Sequence, residues 1–596
     1  MPIYHAPLEQ IRFLLNEVFG DTDLSDLPGY DDATPDMVEA ILTEGAKLCE
    51  NEFFPLNQSG DMEGCEFDES DGSVTTPTGF KAAYDKYVNG GWAGLSADPD
   101  YGGQGLPQVI NTIMAELISS ANLSLGMYPG LTQGAINAIA AHGSDDQKQT
   151  YLPPMIEGRW SGTMNLTEPQ CGTDLGLIRA TANPNEDGSY DITGTKIYIS
   201  AGEHDLTENI IHLVLARLPD APEGTKGISM FVVPKFLVND DGALGDRNAV
   251  ECGSIEEKMG IHAASTCVMN YDAAKGWLVG KPNKGLRAMF TMMNEARLHV
   301  GMQGLGLMEV AYQNAVDYAG ERLQGRALDG IKNPSGPADP IIVHPDVRKN
   351  LLTMRTVIEP ARALAIKTGI EIDMHLKHPD DDRRQRADDF VALMTPIIKA
   401  LYTDLATEVT NLGVQVHGGA GYIADYGVEQ YVRDARITQI YEGANGIQAL
   451  DLVGRKLGKS YGRLLRQFFH PVQNDLDIWM ESGELSDLVF PFAKAFAKLQ
   501  QATVTIAQKG MRDKNEGAAV STDYLAMFGY VILAYYWIKM VQAAEKQVGG
   551  ESPQFYAAKK PLANYYMQKI LPRAGMHFKS IMAGKDPIMA LPQAAF

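Results

Sequence analysis

Apolar residues recur three to four apart through DMVEAILTEGAKLCENEF and QVINTIMAELISSANLSLGMY, which predicts helices from Pro35 to about residue 160. From 161 to about 280 the period shortens. DITGTKIYISAG, NIIHLVLARL, GISMFVVPK and STCVMNYDAA are β-branched runs bounded by Gly, Asp and Pro, with no helix between them. They predict a compact antiparallel barrel or sandwich. The helical period returns at Gly285 and holds to about Leu457, broken by four prolines in DGIKNPSGPADPIIVHPD, residues 329 to 346. Glycines along GLRAMFTMMNEARLHVGMQGLGLMEVAYQ are expected to permit close helix packing. A last helical block occupies 462 to 596, and a short amphipathic stretch (Ile11, Leu14, Leu15, Val18) opens the chain.

The expected organisation is therefore α+β and mostly α. It comprises an N-terminal extension (1–37), an N-terminal helical domain (38–160) and a middle antiparallel β-barrel-like domain (161–280). A C-terminal four-helix bundle (281–460) and an appended helical domain (461–596) follow. A chain of 596 residues, 45% apolar, can fill several cores. The run Tyr524 to Ile538 is apolar throughout but shorter than the ~18–20 residues of a membrane span. It is expected to be a buried bundle helix, with peripheral membrane contact the minor alternative.

A net charge of −24 argues against a general nucleic-acid binder, although the last block carries a modest basic excess. Five scattered cysteines without a CxxC pair fit reduced thiols in a cytosol rather than a disulfide framework. The first residues carry no export signal and the last no peroxisomal address, so the expected location is cytoplasmic. Neither GGQG (102–105) nor HGGAG (417–421) completes a dinucleotide fingerprint. The second follows an apolar helix, and its glycines serve either as a helix cap or as an approach for a pyrophosphate. No Cys/His spacing suggests a metal. His375 and His378 read as a solvated loop.

One acid stands out. In QIYEGANGIQALDLVGRKL, Glu442 lies among small and apolar residues, with Asp451 the next carboxylate. It is either the first turn of a helix, facing the positive end of the macrodipole, or a base whose apolar surroundings raise its proton affinity.

Four segments in order decide between these. MNLTEPQCGTDLG, GTKIYISAG, QVHGGAGYIADYGVEQYVRDARI and QIYEGANGIQ, together with YGGQGLP and the NEAR segment at 294–297, resemble the acyl-CoA dehydrogenase family. The added C-terminal helices are similar to its long branch, which includes 3-methylmercaptopropionyl-CoA and bacterial long-chain enzymes. The resemblance implies FAD, a fatty acyl-CoA substrate and a trans-2-enoyl-CoA product. By that resemblance Glu442 would take the α-proton while flavin N5 would take the β-hydride, and electrons would pass to an electron-transfer flavoprotein. The Glu442 backbone N–H and a flavin hydroxyl would then stabilise the thioester oxygen.

The same resemblance assigns cofactor contacts to Met164, Leu166, Thr167, Gly172, Thr173, Tyr198, Ile199, Ser200, Ala444 and Asn445. Thr173, Arg297, Tyr441 and Gly443 correspond to substrate contacts. Arg322, Gln415, Gly418 and Gly419 correspond to positions that reach the FAD of a neighbouring subunit, implying a homodimer. This chain departs from the pattern in four places, one of them Pro345 after His344 where glutamine is typical. Tyr198 replaces a tryptophan, Ala444-Asn445-Gly446 replaces Thr-Ser-Gln, and ERLQGR lacks the usual phenylalanine after its first arginine. Some relatives carry the base at a position matching Ala296, where alanine cannot serve, which leaves Glu295 as the only competing acid. Two rivals follow on the same fold: an acyl-CoA oxidase using oxygen, and a DNA-binding flavoprotein.

Overall fold

The computed structural model describes residues 2–21, 24–547 and 552–596. Two compact units emerge. The barrel unit holds residues 47–106 and 117–299, and the helical unit holds 1–46, 107–116 and 300–596.

Seven strands organise the barrel unit: β1 (Trp160–Asn165), β2 (Thr181–Pro184), β3 (Tyr190–Ser200), β4 (Asn209–Arg217), β5 (Ile228–Pro234), β6 (Val250–Ile255) and β7 (Thr266–Val279). Pairing runs β7–β3–β2–β4–β5 and returns to β7, so five strands close a ring, with β6 added on β7 and β1 on β4. The pairings are antiparallel except that β4 lies parallel to β1 and, at one residue pair, to β2. The expectation of an all-antiparallel domain is corrected there. β1 does not turn back in a hairpin; the chain passes through 166–180 and two further strands before reaching β4, the kind of crossover a parallel pair requires.

Every residue of β1 and β5 is buried, as is β4 up to Arg217. Ile192, Ile199, Val214, Phe231 and Tyr271 cluster on one side of the sheet. Trp160, Ile211, Leu213, Met230 and Val232 join residues of α1 (Leu123–His142) on the other. Gly162 makes the second contact possible, since a Cβ there would lie 2.5 Å from that of Ala135.

In the helical unit, α2 (Gly285–Glu321, from Val300 onward), α3 (Pro345–Lys377) and α4 (Asp381–His417) form the bundle, followed by the short α5 (Glu429–Thr438) and α6 (Asn445–Asp451). The expected close packing through glycine is present: a Cβ on Gly301 would meet Ile398 at 2.5 Å, and one on Gly304 the Tyr402 carbonyl at 2.9 Å. Arg362, buried on α3, donates to Glu116 Oε1 at 2.6 Å and Glu309 Oε2 at 2.6 Å, so the charge lost from water is matched by two carboxylates.

Helices after residue 462 belong to this same unit. The apolar run extends into the 25-residue α7 (Ser521–Glu545). It and the segment from Asp381 to Tyr422 are long and apolar enough to cross a membrane, but their apolar windows are 83% and 72% buried inside the fold. α7 packs on α3, α4 and α6, and its Trp537 donates to the Thr356 carbonyl at 2.9 Å. Two bidentate pairs fasten the block further: Arg463 to Asp389 at 2.6 and 2.9 Å, and Arg573 to Glu408 at 2.7 Å on both oxygens. Lys559 is fully buried and donates to Glu359 at 2.8 Å and to Gln10 of the amphipathic first helix. The Pro-rich connection is ordered by one acid. Buried Asp339 accepts from the N–H groups of Ala327, Lys332 and Asn333 at 2.6 to 3.0 Å. These bonds outweigh desolvation and hold its carboxyl down to about 2.

Candidate active site

Glu442 does not start a helix. The helix α6 begins three residues later, at Asn445, and Glu442 sits in the preceding turn at φ +57°, followed by Gly443 at φ +89°. A left-handed glutamate costs about 1–2 kcal/mol against ordinary geometry, and such residues concentrate at functional sites. This disposes of the macrodipole reading. The side chain is half-buried rather than fully desolvated, in a turn whose Ile440 is exposed.

Side chains hold the turn; sequence reasoning named Asn445 and Tyr441 among them for other roles and missed Gln448 and Lys399. Buried Gln448, one turn into α6, donates to the carbonyls of Glu442 (3.2 Å) and Gly443 (3.1 Å). The Asn445 N–H donates to the Gln439 carbonyl at 3.1 Å and closes the loop. The Asn445 amide reaches into α4: its Oδ1 accepts from buried Lys399 (2.9 Å), and its Nδ2 lies 2.7 Å from Asp404 Oδ1 and 2.8 Å from Thr403 Oγ1. The side chain of Asn445, expected among the cofactor contacts, is therefore directed into the bundle. The phenol of Tyr441 donates to Gln303, and burial together with the Glu442 carboxylate pushes its pKa far up, so it stays neutral. Gln448 could have been noticed as a glutamine six residues beyond the acid. Lys399, about forty residues earlier, gives no local signal.

The second cluster belongs to the barrel unit. MNLTEPQCGTDLG leaves β1 at Met164 and Asn165, both buried, and brings Gly172 and Thr173 to an exposed position. Leu166 and Thr167 are half-buried, and the Thr167 carbonyl accepts from the Ile197 N–H at 2.9 Å, tying the loop to β3. Thr163 Oγ1 donates to the Ser200 carbonyl at 2.7 Å. An ion pair lies beneath. Lys196, wholly buried, donates to Glu168 Oε1 at 2.8 Å and to the Leu166 carbonyl at 3.2 Å. Glu168 also accepts from the N–H groups of Arg179 (2.7 Å) and Ala180 (3.1 Å). Burial alone would raise the Glu168 carboxyl; Lys196 and those amides bring it below its ordinary value.

Tyr198 occupies a β-bulge, because Ile199 pairs with Cys267 and Lys196 with Met269, leaving two residues of β3 opposite one of β7. Its φ is +60° and 61% of its surface is exposed. Bulges re-aim side chains, and here the outcome is an aromatic ring presented to solvent beside a loop rich in small donors. That combination fits a planar, phosphate-bearing cofactor such as FAD. Ile199 faces the barrel interior, so only its backbone is available, while Ser200 is half-buried.

The remaining assigned residues fall elsewhere. Arg297 is buried on α2. On the same helix, Glu295 accepts from Asn137 Nδ2 at 2.5 Å, and burial pushes its carboxyl up to about 7. Ala296 packs against the core. Exposed Arg322 follows α2, and exposed Gln415 lies in the last turn of α4. Stacking of Tyr318 on His417, 4.4 Å between centroids, brings these two helix ends together. Gly418 caps α4 at φ +61°, so the cap reading of HGGAG holds, and Gly418 and Gly419 face open space. Among the described residues no group of three His, Cys, Asp or Glu could hold a metal. His375 is in the last turn of α3 and His378 caps it, rather than lying in a free loop.

Family models match along the chain in order. The N-terminal domain of acyl-CoA dehydrogenase matches residues 39–159, its middle domain 163–274 and its C-terminal domain 283–457, while an acetyl-CoA dehydrogenase C-terminal-like domain matches 468–592. The 3-methylmercaptopropionyl-CoA dehydrogenase of Ruegeria pomeroyi is 42% identical over 98% of this chain and 99% of its own length. The broad-specificity linear acyl-CoA dehydrogenase FadE5 of Mycobacterium tuberculosis is 32% identical over the full length of both. The acyl-CoA dehydrogenase of Bacillus anthracis, solved with FAD, superposes at TM-score 0.74 with 22% identity, covering 96% of this chain and 92% of that one. A solved structure described as the electron transferring flavoprotein of Acidaminococcus fermentans gives TM-score 0.58 at 27% identity, covering 71% and 98%. With family models in register from residue 39 to 592 and a 42% identical relative of equal length, this chain belongs to the acyl-CoA dehydrogenase family.

Proposed function

We propose that the enzyme catalyses α,β-dehydrogenation of a fatty acyl-CoA to the trans-2-enoyl-CoA, with Glu442 as the base and an electron-transfer flavoprotein as acceptor. It is an oxidoreductase of the CH–CH group of acyl-CoAs, and FAD is the cofactor of its family. When bound, FAD supplies the two-electron sink, and Thr167, Thr173, Tyr198 and the backbone of Ile199 and Ser200 would hold it.

The observation that carries this reading is the left-handed turn at Glu442. An α-proton of a thioester is weakly acidic, so its removal needs a carboxylate fixed in position and short of water. The turn provides the fixing: both carbonyls flanking Gly443 are taken up by Gln448, and Asn445 anchors the next residue to α4. Half-buried in the free protein, Glu442 loses further contact with water when the acyl chain covers it, which makes the carboxylate a stronger base. Tyr441, neutral and bound to Gln303, adds a wall without a competing charge. Exposed Arg322, Gln415, Gly418 and Gly419 at one end of the bundle, next to exposed Tyr422, Ile423 and Tyr426, support a homodimer in which they meet the partner's cofactor. The reading places the enzyme in the cytoplasm.

The test is bleaching of the bound flavin under anaerobic conditions by butyryl-, octanoyl-, palmitoyl- and 3-methylmercaptopropionyl-CoA. Glu442→Gln is expected to slow bleaching by roughly 10²–10⁴-fold, the range of positioned proton transfer, with the acyl-CoA still bound. Bleaching at the unmodified rate would refute the assignment. Stoichiometric hydrogen peroxide on aerobic turnover would mark an oxidase instead.

A further inference from the structure

Asn445 and Lys399 are absorbed neither by the cofactor nor by the proton transfer itself. Lys399 is an ammonium with no exposed surface, in the middle of α4, and a buried charge of this kind is costly unless its hydrogen bonds are met. It donates to Asn445 Oδ1 at 2.9 Å. The other end of the same amide lies within 2.7 to 3.1 Å of three acceptors on α4: Asp404 Oδ1, Thr403 Oγ1 and the Ala400 carbonyl. Asp404 in turn accepts from Gln439 Nε2 at 2.6 Å, and the Gln439 carbonyl accepts from the Asn445 N–H at 3.1 Å. The loop from Gln439 to Asn445 is thus pinned at both ends to one patch of α4, with Glu442 at its middle in a left-handed conformation.

We infer that Lys399 and Asn445 form a clamp that fixes the Glu442 turn, and that they act as positioning residues for proton abstraction. The inference rests on Glu442 being the base. The chemistry favours an amide at this position. Serine, the residue of the common pattern here, offers a single rotating hydroxyl that cannot accept from the ammonium while donating to both Asp404 and Thr403. An amide does so in one rigid plane. Released at Asn445, a turn with two positive φ values would relax toward ordinary geometry, and a displacement of about 1 Å in a catalytic group costs on the order of 10²-fold in rate.

The competing view is a plain structural network that stabilises the bundle. Three variants of the FAD-loaded enzyme separate the two: Asn445→Ser, Lys399→Met, and the double variant Lys399→Met/Asn445→Leu, which removes the buried charge together with its partner. Anaerobic stopped-flow bleaching with butyryl-CoA and 3-methylmercaptopropionyl-CoA gives the reduction rate per bound flavin, titration gives the substrate Kd, and thermal melts give stability. The clamp predicts a reduction rate lower by about ten- to a hundredfold in all three variants, with Kd changed less than about threefold. The double variant should recover the melting temperature lost by Lys399→Met's partner contacts or by Asn445→Ser, yet remain slow. A double variant that reduces at the unmodified rate would overturn the clamp. Glu442→Gln, run alongside, keeps the two readings apart: if it too bleaches normally, the base assignment falls and the clamp with it, whereas a slow Glu442→Gln beside fast clamp variants removes only the clamp.

Discussion

Of the ten described residues other than glycine that hold a left-handed backbone, Tyr198 on the barrel and Glu442 on the bundle are held by different means. Tyr198 sits inside a β-ladder. Its neighbours Ile199 and Lys196 are paired to Cys267 and Met269, and the Ala201 N–H donates to the Ser265 carbonyl at 3.0 Å. Backbone bonds that any sequence could make bear the strain there, while the Lys196–Glu168 pair secures the adjoining loop. Glu442 has no ladder. Its turn rests on the side chains of Gln448, Asn445 and Tyr441. Strain carried by a ladder should tolerate substitution at the strained residue, and strain carried by side chains should fail when one of those side chains is shortened.

The largest effect in this comparison is expected at Lys196. Replacing it with Met leaves Glu168 buried without its cation, a change of about 3–5 kcal/mol. Melting of the barrel and FAD retention should both drop. The Glu168 carboxyl is held below its ordinary value in the fold, so its contribution is present above that value and lost as the pH falls through the lowered one. In Lys196→Met burial without the cation raises the carboxyl, so protonation no longer costs the fold at this site and the acid-side loss of stability should flatten or reverse relative to the unmodified protein; thermal melts between pH 4 and 8 measure this. An unchanged acid limb would show that the pair contributes little.

Gln448→Ala comes next. It removes both side-chain donors from the Glu442 and Gly443 carbonyls, at about 1–3 kcal/mol for buried groups left unsatisfied. The flavin reduction rate should fall while FAD content stays normal, the reverse of Lys196→Met. Equal loss of both quantities would erase the distinction between the regions.

The smallest effect is expected at Tyr198. Glycine relieves the left-handed backbone at a cost or gain within about 1 kcal/mol. The fold should therefore hardly change in a thermal melt, while FAD affinity, measured by fluorescence on the apoprotein, weakens through loss of the exposed ring. Severe unfolding of Tyr198→Gly would mean that the ring, not the ladder, supports the bulge.

The order of helical and β segments, the glycine-mediated helix crossings and the burial of the run around Tyr524 are all legible in residue periodicity, because burial of one face imposes a period of 3.6 or 2 on the residues themselves. Glu442 could be singled out for the same local reason, as one acid in an apolar stretch. The parallel partners of β4, the bulge at Tyr198 and the inward turn of the Asn445 amide could not. Each depends on a partner tens of residues away: Asn209 onward for Trp160, Cys267 for Ile199, Lys399 for Asn445. Sequence by itself determined which residues seek the interior and where an acid stands alone. Only the tertiary structure decided what that acid's turn leans on, because hydrogen-bond partners are set by distance in space, and a buried amide binds whichever helix the fold brings to it.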